Sequence, residues 1–387
     1  LIEHVNESSD FNFINKELLG STGHTMGGNA AIRGANYFGK KADEQNKKSL
    51  LHSVYVSGYV LTLRDDVLKD VRSNVGVSYA LYDEGSFRNE LKNWDAANMK
   101  IAPESLRTVN SGLKKEEHIS KVELGKYYGD LESNTLRVIF NEELLHPFQP
   151  YNAEATANQL AYFETVFGAP IKLDTYDQVW QWKEFFTLLN MIISFWLLIP
   201  LTRTLLKINF FKTLVKPIPE ALPVQNRVGK TIFWSVFFVS AGIACVTFIP
   251  LVEVAKTLFP EAATRQLTWF FPQRMNNSVM LWALLNGSIG IFLFFVTYYF
   301  FGKKHGVKIN SWGLELSFKD IYKTILLGLI IFIVYFSLLF LIYFLFHIDY
   351  RFWFMGVRIF QPEMLLVLAM YFPFFFVFFF SNSLRVN

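Results

Sequence analysis

Thr25, Asp83 and His146 are of the types, and in the order along the chain, that acyl transfer uses. Thr25 sits at the centre of Gly23-His24-Thr25-Met26-Gly27, a glycine-x-nucleophile-x-glycine spacing with threonine where serine is usual. A hydroxyl presented by such a turn can attack an ester or amide carbonyl if an imidazole takes its proton and a carboxylate holds the imidazole. His146 is the imidazole that the spacing offers. Asp83 is the preferred carboxylate, with its neighbour Glu84 as the alternative. The Met26 amide is the oxyanion donor this chain can supply, and His24 is expected to line the pocket. Threonine is an awkward occupant of the turn. A β-branched residue disfavours positive φ, and its methyl crowds an approaching carbonyl. The chain therefore reads as a slow hydrolase or as a hydrolase-like domain whose chemistry is lost or changed, with a chance motif match as the third option.

The other histidines offer less. His118 lies in a charged Lys-Lys-Glu-Glu-His stretch and reads as solvated, and His4, His52, His305 and His347 have no evident chemical partners. No H-x-x-x-H, H-E-x-x-H or C-x-x-C spacing occurs, so neither a metal nor a diffusible cofactor is expected. The single cysteine, Cys245, allows no disulfide within the chain.

The elements that would hold these residues are strands alternating with helices. Phe13 to Thr22 reads as a buried strand leading into the turn, followed by a small-residue helix over about Met26–Phe38. A solvated loop is expected over 39–50, then strands at Leu51–Tyr59, Val75–Tyr82 and Thr135–Phe140. Residues 86–130 read as a polar cap or insertion of helices and loops, and Asn152 as the cap of a helix over Ala153–Phe167. Such alternation implies a parallel sheet with its site at the carboxyl ends of the strands. Thr25, Asp83 and His146 each follow a predicted strand, which puts all three on that edge.

The Gly-His-Thr-Met-Gly-Gly run and the order nucleophile, acid, histidine resemble the α/β-hydrolases, most nearly the bacterial dienelactone-hydrolase or lipase-like branch. The resemblance covers about residues 1–170, the C-terminal half of such a domain. It implies acyl ester hydrolysis, and also strands and an oxyanion loop upstream of Leu1. Both chain ends are expected to be truncated.

Residues 185–387 are a different kind of polypeptide. Of the 387 residues 41 are Phe, and five apolar runs, about 185–206, 231–252, 278–301, 324–346 and 362–382, are long enough to cross a bilayer. The expected organisation is a partial α/β-hydrolase-like domain (1–170), an interfacial linker with Trp180 and Trp182 (171–184), and an all-α transmembrane domain (185–387). No acidic or basic residue sits at a span centre, which argues against an ion or proton pathway and so against a transporter or channel. Pro200, Pro250 and Pro373 are candidate kinks, and Gly287 and Gly290 candidate close-packing sites. Pro217, Pro219 and Pro223 mark a stiff loop, Val307–Phe318 a surface-lying stretch, and Asp349–Trp353 an interfacial loop with Arg351 near headgroups. Lys207, Lys212, Lys216, Arg227 and Lys230 fill one loop, and Lys303, Lys304, Lys308, Lys319 and Lys323 another. The alternate loops hold only Lys256, Arg265 and Arg274, and Arg351 and Arg358. The richer pair should face the cytoplasm, which places the soluble domain outside. The net charge of +4 is then topogenic, and no nucleic-acid partner is implied. The expected partners are the bilayer and an ester or lipid-derived substrate. The alternative is a catalytically degenerate domain that binds a ligand or partner for a multi-pass cell-membrane protein. Oligomeric state is not legible.

Overall fold

A computed structural model describes residues 1–168, 173–216, 226–308, 312, 317–350 and 361–386. It divides the chain into two compact units, Leu1–Gln181 and Trp182–Asn387. The first contains, in order, α1 (Ile2–Glu7), β1 (Gly20–His24), α2 (Met26–Gln45), β2 (Ser53–Ser57), α3 (Asp65–Leu68), β3 (Asn74–Ser78), α4 (Pro103–Asn110), β4 (Arg137–Phe140) and α5 (Ala153–Phe167). The four strands form one parallel sheet in the order β1-β2-β3-β4.

Side-chain alternation sorts the strand residues between two helical layers. Val54, Val56, Val75, Val77 and Ile139 pack with Ala31, Ile32, Ala35 and Phe38 of α2. Tyr55 and Val138 point the other way, onto Tyr162 and Val166 of α5. Gly76 is the small member of that second layer, because a Cβ there would lie 2.6 Å from the Tyr55 ring. Both faces of the sheet are covered, so β2 and β3 are buried throughout, as parallel strands usually are.

Two expectations are corrected. The strand before the turn does not begin near Phe13 and is not buried: Phe13 is exposed, β1 starts at Gly20, and its residues are exposed or half-buried. The cause is its edge position, with β2 as its sole partner in the sheet. The loop expected from residue 39 is helix as far as Gln45. Phe38, Gly39 and Ala42 continue the buried face of α2 at helical spacing, and left-handed Asn46 (φ 51°) ends it.

The second unit holds α6 (Trp180–Leu206, whose first two residues belong to the other unit), α7 (Arg227–Leu258), α8 (Pro260–Ala263), α9 (Arg274–Thr297), α10 (Phe318–Phe346) and α11 (Glu363–Val386). A π-helical turn, Tyr298–Gly302, and a single 3-10 turn carry α9 on to His305. Among the described residues five helices are long and apolar enough to cross a membrane: Trp180–Leu206, Arg227–Leu258, Arg274–His305, Phe318–Phe346 and Glu363–Leu384. Most of their Phe, Leu and Ile side chains are exposed in the protein alone, as lipid-facing helices require. Polar contacts fix the pairings. Ser194 Oγ meets Tyr335 Oη at 3.0 Å between α6 and α10. Trp282 Nε1 of α9 donates to the Ala244 carbonyl of α7 at 2.8 Å. The Tyr371 hydroxyl of α11 donates to Asn277 Oδ1 of α9. Gly287 lets α9 and α11 touch, since a Cβ there would sit 2.8 Å from the Phe378 Cα. The proline-marked loop (Pro217, Pro219, Pro223), Arg351, Trp353 and Arg358, and most of the Val307–Phe318 stretch lie outside the described residues.

Candidate functional site

β1 ends at His24 and α2 begins at Met26, so Thr25 alone makes the strand-to-helix turn. Its backbone is at φ 48°, ψ −111°. That is a strained conformation for a β-branched residue, costing about 1–3 kcal/mol. Two hydrogen bonds hold it there. The Thr25 N–H donates to the Ser57 carbonyl at 2.8 Å, and the Thr25 carbonyl accepts from the Asn29 N–H at 3.0 Å. Gly23 is needed because the first turn of α2 folds back over the strand end: a Cβ there would lie 2.2 Å from the Gly27 carbonyl carbon, whereas a Cβ on Gly27 would meet open space. No side chain caps α2 at Thr25. The Met26 amide, at the first helical position, has no intrahelical acceptor by geometry and stands at the positive end of the helix dipole.

Asp83 and His146 arrive on loops that prolong the β3–β4 ladder. The amides of Tyr79, Leu81 and Tyr82 donate in turn to the carbonyls of Phe140, Glu142 and Leu144, at 3.1, 2.8 and 3.1 Å. Asn141 ties the same loops inward, donating to the carbonyls of Tyr79 and Ala97. Beneath them Glu142 is buried. It accepts from Ser78 Oγ, Gln149 Nε2 and Asn158 Nδ2, and burial raises its pKa above the usual carboxylate value.

At the end of this ladder His146 Nδ1 lies 3.0 Å from Asp83 Oδ2. The Asp83 side chain is 6% exposed and that of His146 20%. The other Asp83 oxygen accepts the Gly85 N–H at 2.6 Å. Glu84 is exposed and makes no such contact with His146 among the described residues. With Nδ1–H donated to Asp83, neutral His146 keeps Nε2 as a proton acceptor.

His24 packs against this pair. Its ring centroid is 4.6 Å from that of His146, and its Nδ1 is 3.0 Å from Ser57 Oγ. Burial, and next the nearby His146, push its pKa from 6.5 down to about 4, so His24 is neutral near pH 7. Gly58 (φ 62°) forms the seat under both rings: a Cβ there would be 2.6 Å from His24 Cε1 and 2.8 Å from His146 Cε1. Tyr79, whose pKa is raised by burial and then by Asp83, lies on the acid side of the site. The Thr25 turn and the Asp83–His146 pair are thus tied through His24, Ser57 and Gly58.

Ser57, Gly58, Glu142 and Gln149 were not singled out from the sequence. The signal available was small: a Ser-Gly pair ending the Val-Tyr-Val strand. His52, without an evident partner in the sequence, has its Nε2 3.1 Å from the Val166 carbonyl. Among the described residues no group of three His, Cys, Asp or Glu side chains is arranged to hold a metal ion. No family model, curated protein or solved structure matches the chain.

Proposed function

We propose that the first unit is an α/β-hydrolase-like acyl hydrolase, with Thr25 as nucleophile, His146 as general base and Asp83 as the residue that orients His146. The observation that carries this reading is the Asp83–His146 pair, at 3.0 Å, on the same sheet edge as a residue held at φ 48° between strand and helix. In the proposed reaction Thr25 Oγ attacks an ester carbonyl while His146 Nε2 takes its proton. The Met26 amide donates to the oxyanion, and His146 returns the proton to the leaving alcohol. Water, activated by the same imidazole, then releases the acid and restores Thr25. The five candidate membrane-spanning helices support the reading of a membrane protein, and an ester or lipid-derived acyl group is the substrate class that suits it. The lysine-rich loops favour an extracytoplasmic site.

A second reading, a domain that binds such a ligand without cleaving it, is favoured by the β-branched side chain in the strained turn. One set of proteins separates the two. The full chain, Thr25→Ser, Thr25→Ala and Asp83→Asn are incubated with a fluorophosphonate probe and a p-nitrophenyl ester. Hydrolysis by Thr25 predicts labelling of the parent, a higher rate in Thr25→Ser, and no labelling in Thr25→Ala. Asp83→Asn should fall by about 10³–10⁴ in kcat. An unlabelled parent beside a labelled Thr25→Ser makes the natural domain a binding module. Undiminished turnover by Thr25→Ala removes Thr25 from the chemistry altogether.

A further inference from the structure

The membrane unit contains a cavity with walls from α7 and α11 and a floor from α9, of about 800 Å³. That is the size of a small-molecule site. Its composition changes along its length. From Ala244 and Trp282 through Phe237, Ile289 and Leu293 the wall is mostly hydrocarbon and aromatic, with Ser240 and Asn286 as its polar members. At the opposite end it is closed by Asn226, Thr297, Tyr298 and His305. The stretch of α7 from Asn226 to Ala244 is about 27 Å long at the helical rise, so the cavity is long and amphipathic. The polar end is also the basic end. Arg227 and Lys230 flank lining residues Asn226 and Gly229 in the sequence, and Lys303 and Lys304 lie between lining residues Gly302 and His305. Among the described lining residues there is no Asp or Glu.

Small residues keep the space open. Ala241 and Ala244 on α7 and Gly290 on α9 recede from it, where larger side chains would close it. The tight contacts of this bundle are made at Gly287 against α11 and, at the apolar end of the cavity itself, by Trp282 Nε1 on the Ala244 carbonyl. The apolar end lies within the spans, and the basic end lies where α7 begins and α9 has just ended. That is the depth profile of an amphiphile in one leaflet, with its chain in the hydrocarbon region and its headgroup at the interface.

We infer that this cavity binds a single-chain amphiphile with an anionic head, a long-chain carboxylate or a lysophosphatidate. Its chain lies along α7 and α9, and its head meets Lys303, Lys304 and His305. The inference stands apart from the chemistry at Thr25 and holds whether or not that site hydrolyses anything. It is tested by titrating the full-length protein in detergent with parinaric acid, a fluorescent long-chain fatty acid, and displacing the probe. Oleate and oleoyl lysophosphatidate should displace it with similar affinity. Oleyl alcohol, which has the chain without the charge, should be about tenfold weaker, and inorganic phosphate inert. Ala241→Trp and Ala244→Phe fill the cavity from different turns of α7, and whichever elutes and melts like the parent should bind at least about tenfold more weakly. Lys303→Gln with Lys304→Gln should bring oleate down to the level of oleyl alcohol. Absence of saturable binding above the detergent background overturns the inference. So does parent-like binding by a well-folded filled variant, or displacement by phosphate alone, which would mark an anion site without a chain.

Discussion

His24 is the residue whose charge state the local geometry constrains most. Its ring packs against His146 at 4.6 Å, tilted by 33°, and is half-buried. A proton on it would lose hydration and, in the proposed reaction, face the imidazolium that His146 would become on taking the Thr25 proton. Held neutral, it supports His146 without repelling it. The same depression links to stability. In the unfolded chain His24 takes a proton near pH 6.5, while in the folded protein it resists until about 4. The stability this group protects is therefore complete above about 6.5 and is lost as pH falls towards 4, because only the unfolded state gains the proton. After discounting for solvent at a half-buried ring, the loss is about 1–2 kcal/mol. Melting temperatures of the detergent-solubilised protein between about pH 7 and 4 should fall more steeply for the parent than for His24→Gln. Parallel curves would show that His24 carries none of the acid sensitivity.

The elements bring the site together through strand ends more than through the strands themselves. Gly58 follows β2 directly, its N–H donates to the Ser78 carbonyl at 2.8 Å, and it sits at φ 62° under both imidazoles. Gly58→Ala meets both a disfavoured φ and a 2.6–2.8 Å clash with His24 and His146. It should cost about 1–3 kcal/mol of stability and at least about tenfold in ester turnover, with intact helix content by circular dichroism. Parent-like activity would mean that the rings are not seated on Gly58. This position also marks where sequence reading stops. The alternation of Val54, Tyr55 and Val56 identifies a strand, and consecutive strands of one parallel sheet place the loops with Asp83 and His146 on one edge. Neither says which backbone atoms will support an imidazole, because that depends on how three loops meet. Arg137 was illegible for the same reason. Within a strand it reads as an exposed cation, yet it is 1% exposed and donates to the Ser73 and Leu136 carbonyls and to Ser111 Oγ. Burial lowers its pKa to about 10. The edge position of β1 was hidden too, since pairing on one side is a property of the sheet and not of the strand's own residues.

Over the whole molecule the unequal loops predict on which side of a membrane each unit lies. The apolar runs were plain in the sequence because a bilayer-spanning helix must satisfy its backbone internally and present hydrocarbon outward. Sidedness rests on a weaker force, the retention of Lys and Arg on the cytoplasmic side. The two richer loops adjoin the start of α7 and the extended end of α9, so the rule predicts that the basic end of the membrane cavity faces the cytoplasm. The same rule predicts that the first unit faces outward, where the proposed hydrolysis would act on extracytoplasmic esters. The single cysteine makes this directly measurable. Cys245 lies within α7, and replacing it with alanine leaves a chain without thiols. Trp94 in the first unit and Lys304 beyond α9 are both exposed, and each can be replaced by cysteine without disturbing a core. In intact cells a membrane-impermeant maleimide should label Trp94→Cys at once. Lys304→Cys should be labelled only after permeabilisation. The reverse pattern would put the Thr25 site in the cytoplasm, turn the basic cavity end outward, and replace the extracytoplasmic substrate with an intracellular one. Labelling of both positions in intact cells would put them on one side, so that an even number of helices, and not all three of α6, α7 and α9, crosses the membrane between them.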